Sequence, residues 1–260
     1  MNEKTRDAFA NRAQSCDTEH SKDWLSRLLK PRHGDFEQRV VCRSEDARWL
    51  ETLFPGVQLR VLEFVAAERP RLSAQLRFIA GHQSVSLGGL ADLEILVQRG
   101  GLQSAAGAHE GGMYFRLPDA SDQRFDNQLF SSISDSGQQQ ASLAYIASGH
   151  MLETDTQIRR INTLDVSRWL PGPVDGTQVL PLHGHGSGNV MLVRWTESVA
   201  FRPRIDPRGE EVLVLEGTLT DAKGSYTADT WLRNPIVAWQ SWGAKAGTVI
   251  YYKNGHFPNS

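Results

Sequence analysis

The chain has 260 residues, 40% of them hydrophobic, and its 28 Lys+Arg against 30 Asp+Glu leave a formal net charge of -2. That length allows one large or two small domains, and the charge balance supplies no global field for nucleic acid or an anionic membrane. The opening residues MNEKTRDAFANRAQSC are charged throughout and lack the apolar core of a signal peptide, and no later run is long enough for a membrane span, so the expected location is the cytoplasm.

The first predicted element is a helix within an N-terminal extension, residues 1–35. TEHSKDWLSRLLK places Trp24, Leu25, Leu28 and Leu29 on one face, offers Thr18 or Ser21 as a cap and stops at Pro31. The stripe either packs on the domain that follows or docks another protein. Cys16 and Cys42 fall outside any CxxC or Cys/His spacing and read as separate thiols.

Beyond the helix the chain repeats itself. LEILVQRGGLQSAAGAHEGGMYFRLP lies without a gap over EEVLVLEGTLTDAKGSYTADTWLRNP, so that Glu94 falls on Glu211, Gly100 on Gly217, Arg116 on Arg233 and Pro118 on Pro235. Upstream, AQLRFIAGHQSVSL parallels NVMLVRWTESVAFR; downstream, AYIASGHML parallels IYYKNGHFP. The blocks keep their order, which predicts two copies of one domain over residues 36–152 and 162–260, joined by a linker at 153–161. Each copy is built of short segments rich in Val, Leu, Ile, Tyr and Trp between Gly, Pro, Asp and Ser, the pattern of an all-β jelly-roll barrel. EEVLVLEG and TVIYYKNG read as strands, TDAKGS and DPRG as turns, and the polar run Asp119 to Gln140 as a surface loop.

Several side chains are candidates for chemistry. His183 and His185, one glycine apart in LPLHGHGSGNV, can converge on a metal if the segment is extended, and otherwise mark a glycine-rich hairpin. His150 and His256 recur at matching repeat positions, which favours a turn or packing role; His82 and His109 have no second member. Tyr226, Trp231, Trp239 and Trp242 can line an apolar pocket or pack in a core. Arg202, Arg204, Arg208 and Arg233 make an anion-binding cluster or a solvated turn. No G-x-S-x-G elbow, Cys–His pair or phosphate-binding glycine loop occurs, so the nucleophile and phosphate-loop classes find no support.

In the second copy NVMLVRW, GEEVLVLEG, YTADTWLRNP and IYYKNGHF, in that order, resemble the cupin domain of ChrR-type anti-sigma factors and their stand-alone relatives. The resemblance reaches the first copy through the repeat and implies a bicupin: tandem double-stranded β-helix barrels. It does not extend to the zinc module of the anti-sigma factors, since no HxxxCxxC arrangement is present. Cupins of this kind hold a divalent metal through H-x-H-x3,4-E, with six residues between the Glu and a following Gly, and a later His; imidazoles and a carboxylate suit Fe, Mn, Ni or Zn. Glu210 is separated from Gly217 by six residues, whereas the two earlier ligand positions hold Asp206 and Arg204 and the later one Trp239 or Gln240. In the first copy Leu93, Gly89 and Leu87 stand at the corresponding places. Asp206 and Glu210 can hold a hard ion, or Arg204 can neutralise Glu210 in the metal's stead.

The resulting expectation is a bicupin that binds a small, anionic ligand or regulates, with a lost or altered metal site. Its cofactor is none, or a divalent ion in the second barrel. The alternatives are a metal-dependent dioxygenase or oxidoreductase using Glu210, and an interaction module in stress-responsive transcription. A homodimer and a regulatory protein partner stay open; nucleic acid and membrane partners are not expected.

Overall fold

The computed structural model describes residues 24–79, 84–87, 90, 92–104, 107–118, 129–132, 141–200, 204–206, 208–236, 238–240 and 242–257. The protein is built almost wholly of antiparallel strands. One seven-stranded sheet runs Arg159–Asn162, Met113–Leu117, Leu93–Arg99, Ser142–Ser148, Arg71–Phe78, Val57–Val65, Leu50–Glu51; the other runs Val40–Cys42, Trp231–Asn234, Glu210–Glu216, Val249–Asn254, Gly188–Trp195, Thr177–His185, Leu170–Pro171. Position by position the two orders match, which is the sequence repeat expressed as topology. Each is accompanied by a four-stranded sheet: Ser84–Ser86, Leu129–Ser132, Gly101–Ser104 and Gly107–Glu110 in one copy, Val199–Ala200, Gly243–Ala244, Thr218–Asp221 and Gly224–Thr227 in the other. A seven-stranded sheet with its four-stranded companion in each copy makes the tandem jelly-roll, or cupin, architecture.

The chain divides into two compact units, 1–32, 49–113 and 117–149 against 33–48, 114–116 and 150–260. In the first, central strands such as Ser142–Ser148 are buried along their whole length, as a strand covered on both faces must be. In the second, Val212 and Val214 face Leu232, Ile250 and Tyr252 across the ladders, and with Trp195, Leu219, Tyr226 and Trp242 they form the apolar core. Period-two alternation sends Glu211 and Leu213 to the opposite face of the same strand.

Several expectations change on contact with the structure. The helix spans Trp24–Leu28, with Leu29 N donating to Leu25 O; Leu25 and Leu29 are buried, and Thr18 and Ser21 lie outside the described residues. Val40–Cys42, read as the start of the first copy, pairs with Trp231–Asn234 at the edge of the second unit's sheet, because an edge strand's partner is set by open backbone groups and not by sequence proximity. The polar run holds a strand, Leu129–Ser132, with Phe130 buried among partners from Ser84–Ser86. The segment read as a linker holds a buried Asp155 and all but the last residue of the strand Arg159–Asn162.

The repeated Gly-His dipeptides have a steric cause. Gly149 and Gly255, each preceding a histidine, adopt φ of +71 and +65, and a Cβ would stand 2.1 Å from Pro70 O in one and 2.4 Å from Ser187 O in the other. Only glycine permits both the left-handed backbone and that approach. Gly255→Ala should therefore lower stability by about 1–3 kcal/mol, and more than Gly247→Ala, where φ is +83 but nothing lies within 4 Å of the added carbon; urea melts of the two variants make the comparison.

Candidate functional site

The strand Glu210–Glu216 begins with two buried carboxylates on opposite faces. Glu210 looks toward the core side. Its register partners are Asn234 on one flank and Asn254 on the other, and Asn254 in turn faces Asn189. A polar row thus closes one end of the apolar core. Asn234 Nδ2 donates to Glu210 Oε1 at 3.0 Å, Asn254 Nδ2 to the Tyr252 hydroxyl at 3.2 Å, and Arg39 Nε to Asn234 Oδ1 at 2.8 Å. The same Arg39 guanidinium reaches Asp221 Oδ2 at 2.5 Å and the Tyr226 hydroxyl at 2.9 Å, while Tyr226 donates to Asp221 Oδ1 at 2.7 Å. Burial, helped by the Asp221 carboxylate, raises the Tyr226 hydroxyl above 10.0 against the pull of Arg39, so the phenol stays a donor.

This row does not fit the metal that the H-x-H-x3,4-E pattern implies. Among the described residues it offers one carboxylate and three amides, and no imidazole. Asn234 presents an N–H to Glu210 while its carbonyl oxygen serves Arg39, so the amide brings the wrong group to a cation.

The other sequence candidates fall in different places. Arg204–Asp206 pairs with Ala238–Gln240, setting Ile205 opposite Trp239 and Arg204 opposite Gln240. Three positions expected to carry ligands thus lie on one two-stranded ribbon; the side chains of Arg204, Asp206 and Trp239, like all of Arg202, lie outside the described residues. Arg233 is committed to structure: it donates to the carbonyls of His33 at 2.6 Å and Asp35 at 2.5 Å. Tyr226 and Trp242 belong to the core, but Trp231 points to the opposite face and donates to Glu211 Oε1 at 2.6 Å. The expected aromatic pocket is therefore divided by the sheet. His183 and His185 take different partners, Asp155 Oδ2 at 2.7 Å and Thr154 Oγ1 at 3.0 Å.

On the face opposite the core, two histidine–carboxylate groups are buried. In one, Asp155 Oδ2 meets His183 Nε2 and an Arg116 NH2, both at 2.7 Å. Burial pushes the Asp155 carboxyl up, but hydrogen bonds from Arg116 and His183 and the guanidinium charge outweigh it and hold the group below 3.8. In the other, Glu211 Oε2 accepts from His256 Nε2 at 3.0 Å and stands 3.9 Å from His150 Nδ1, with Lys253 Nζ 3.2 Å from that same nitrogen. The two imidazoles stack, centroids 5.3 Å apart at 19°. Sequence reasoning gave these histidines a packing role; the signal for more was the joint recurrence of Gly-His and of Glu94 with Glu211.

A cavity of about 550 Å³ in the second unit is lined by Arg159, Arg160, Arg168, His183 and Asn189 with apolar neighbours including Pro181 and Leu182. The three arginines are solvent-exposed, and among the described residues no Asp or Glu lines the cavity.

A family model described as ChrR Cupin-like domain matches residues 37–128 and 158–258. The chain belongs to this family. The two matched segments fall one on each half of the repeat. A search of curated proteins finds no match. Among solved structures, this ChrR cupin-like chain is similar to the protein Ylba from E. coli (TM-score 0.61, 11% identity, 90% of this chain and 98% of that one). It is also similar to the pirin YhhW from E. coli, in complex with nickel(II) (0.58, 11%, 84% and 98%), and to a candidate dioxygenase from Nostoc punctiforme (0.59, 13%, 84% and 82%). At these identities the likeness establishes the fold. No helix among the described residues is long and apolar enough to cross a membrane.

Removing the guanidinium of the ChrR cupin-like row takes the cationic partner from Asp221, whose side chain is 7% exposed. Arg39→Ala should cost about 3 kcal/mol, and Tyr226→Phe about 1 kcal/mol, in denaturant melts followed by tryptophan fluorescence. The depressed Asp155 value gives a pH test. Its stabilisation is complete above the ordinary 3.8 and is lost as pH falls through the lower folded value. The stability gap between wild type and Asp155→Asn should be widest near neutrality and narrow below about pH 4.

Proposed function

We propose that the protein is a ligand-binding or regulatory bicupin whose second unit takes a small organic or phosphorylated anion at the arginine-lined cavity. The observation that carries this reading is the composition of that cavity: Arg159, Arg160 and Arg168 around about 550 Å³, with His183 and Asn189 as further polar groups and no carboxylate among the described lining residues. The volume suits a small ligand. Guanidinium forks match carboxylate and phosphate oxygens in pairs, which a point charge does not. The apolar edge from Pro181 and Leu182 would favour an anion with a carbon skeleton over a bare inorganic one. Because the arginines are exposed, attraction is screened and affinity should fall with salt.

The core row supports the same reading from the other side. Glu210 is answered by an amide that is itself tied to Arg39, an arrangement suited to holding the barrel shut and not to presenting ligands to a metal and dioxygen. The dioxygenase reading would need imidazoles that this row lacks.

Isothermal titration with oxalate, citrate, sugar phosphates and inorganic phosphate tests the proposal. Saturable binding by at least one organic anion is expected, weakened about tenfold in Arg160→Gln and in Arg168→Gln. Binding that survives the double variant unchanged, or a stoichiometric metal lost from freshly purified protein in Glu210→Ala, would overturn it.

A further inference from the structure

We propose that His150, Glu211 and His256 form a binding site for a borderline divalent ion of the zinc or nickel class, with Lys253 as its built-in competitor. The site is separate from the core row and independent of the anion-binding reading.

One ligand atom from each residue, His150 Nδ1, Glu211 Oε2 and a His256 ring nitrogen, lies within 4.8 Å of the others. Two imidazoles and one carboxylate are a donor set for such ions. In a tetrahedral zinc centre neighbouring ligand atoms stand about 3.4 Å apart. The separations of 3.0 and 3.9 Å from Glu211 Oε2 bracket that value, so small side-chain adjustments would suffice.

The surroundings hold the ligands as a metal site requires. Trp231 Nε1 ties down Glu211 Oε1 at 2.6 Å and so turns Oε2 toward both rings. That is the outer-sphere support which orients a ligating carboxylate. Each histidine follows a glycine whose left-handed backbone no other residue adopts easily. All three side chains are nearly or wholly buried.

Lys253 gives the site its condition. Its ammonium lies 3.2 Å from His150 Nδ1; in the tautomer that leaves this nitrogen its lone pair, Lys253 donates there and holds positive charge where an ion would bind. An entering ion would take that lone pair, displace the ammonium and replace the His256 Nε2–Glu211 Oε2 hydrogen bond, the His256 proton passing from Nε2 to Nδ1.

The test uses tag-free full-length protein, stripped with chelator and titrated calorimetrically with Zn²⁺ and Ni²⁺, with the visible spectrum of the Co²⁺ form as a second readout. One ion per chain is expected. Glu211→Gln and His256→Ala should each weaken binding about tenfold or more, Lys253→Met should strengthen it about tenfold, and Arg168→Gln should leave it unchanged. Circular dichroism identifies any variant that fails to fold, and Lys253→Met keeps the test alive if both ligand variants do. Absence of stoichiometric binding in wild type and Lys253→Met alike, or binding indifferent to Glu211 and His256, would overturn the proposal.

Discussion

Two adjacent carboxylates, Glu210 and Glu211, are wholly buried on opposite faces of one central strand. Strand periodicity makes it impossible for a single partner to serve both, and an uncompensated buried carboxylate costs several kcal/mol. Each face of the second unit's sheet must therefore supply its own answer, and the two answers differ. Toward the core, Glu210 meets Asn234, which passes the demand on to Arg39. On the other face, Glu211 meets Trp231, His256 and, one step further, His150 with Lys253.

This division explains why the chain keeps the cupin framework while departing from the metal motif. The core side retains the glycine-closed strand and its glutamate but surrounds them with amides, whose N–H groups favour a carboxylate and whose oxygens are spent on a guanidinium. That guanidinium arrives from residues 33–48, the segment whose strand Val40–Cys42 adds itself to the sheet edge. The amide row is thus tied to the protein's own segment 33–48 through Arg39.

The fold was legible because it rests on patterns of short range. Val212 and Val214 alternate with Leu213 in the period of a strand, glycines and aspartates punctuate the turns, and the repeat aligns every block with its twin. The candidate site was legible only in part. Glu210 could be found from its spacing to Gly217, and the loss of imidazoles at 204 and 206 could be read directly. Arg39, Asp155 and Lys253 could not, since each lies far along the chain from the groups it serves: Arg39 is 195 residues from Asn234 and Lys253 103 from His150. Arg233 and Trp231 looked like ligand contacts because residue type says nothing about which face of a sheet a side chain occupies.

By itself the sequence determined the tandem β architecture, the family resemblance and the absence of the expected ligand nitrogens, because hydrophobic period, turn chemistry and motif spacing act between near neighbours. Only the tertiary structure decided that Glu210 lies in a row of amides and that the repeated histidines share a carboxylate. Compensation of a buried charge depends on which side chains the sheet order brings to the same face, and that order joins residues from opposite ends of the chain.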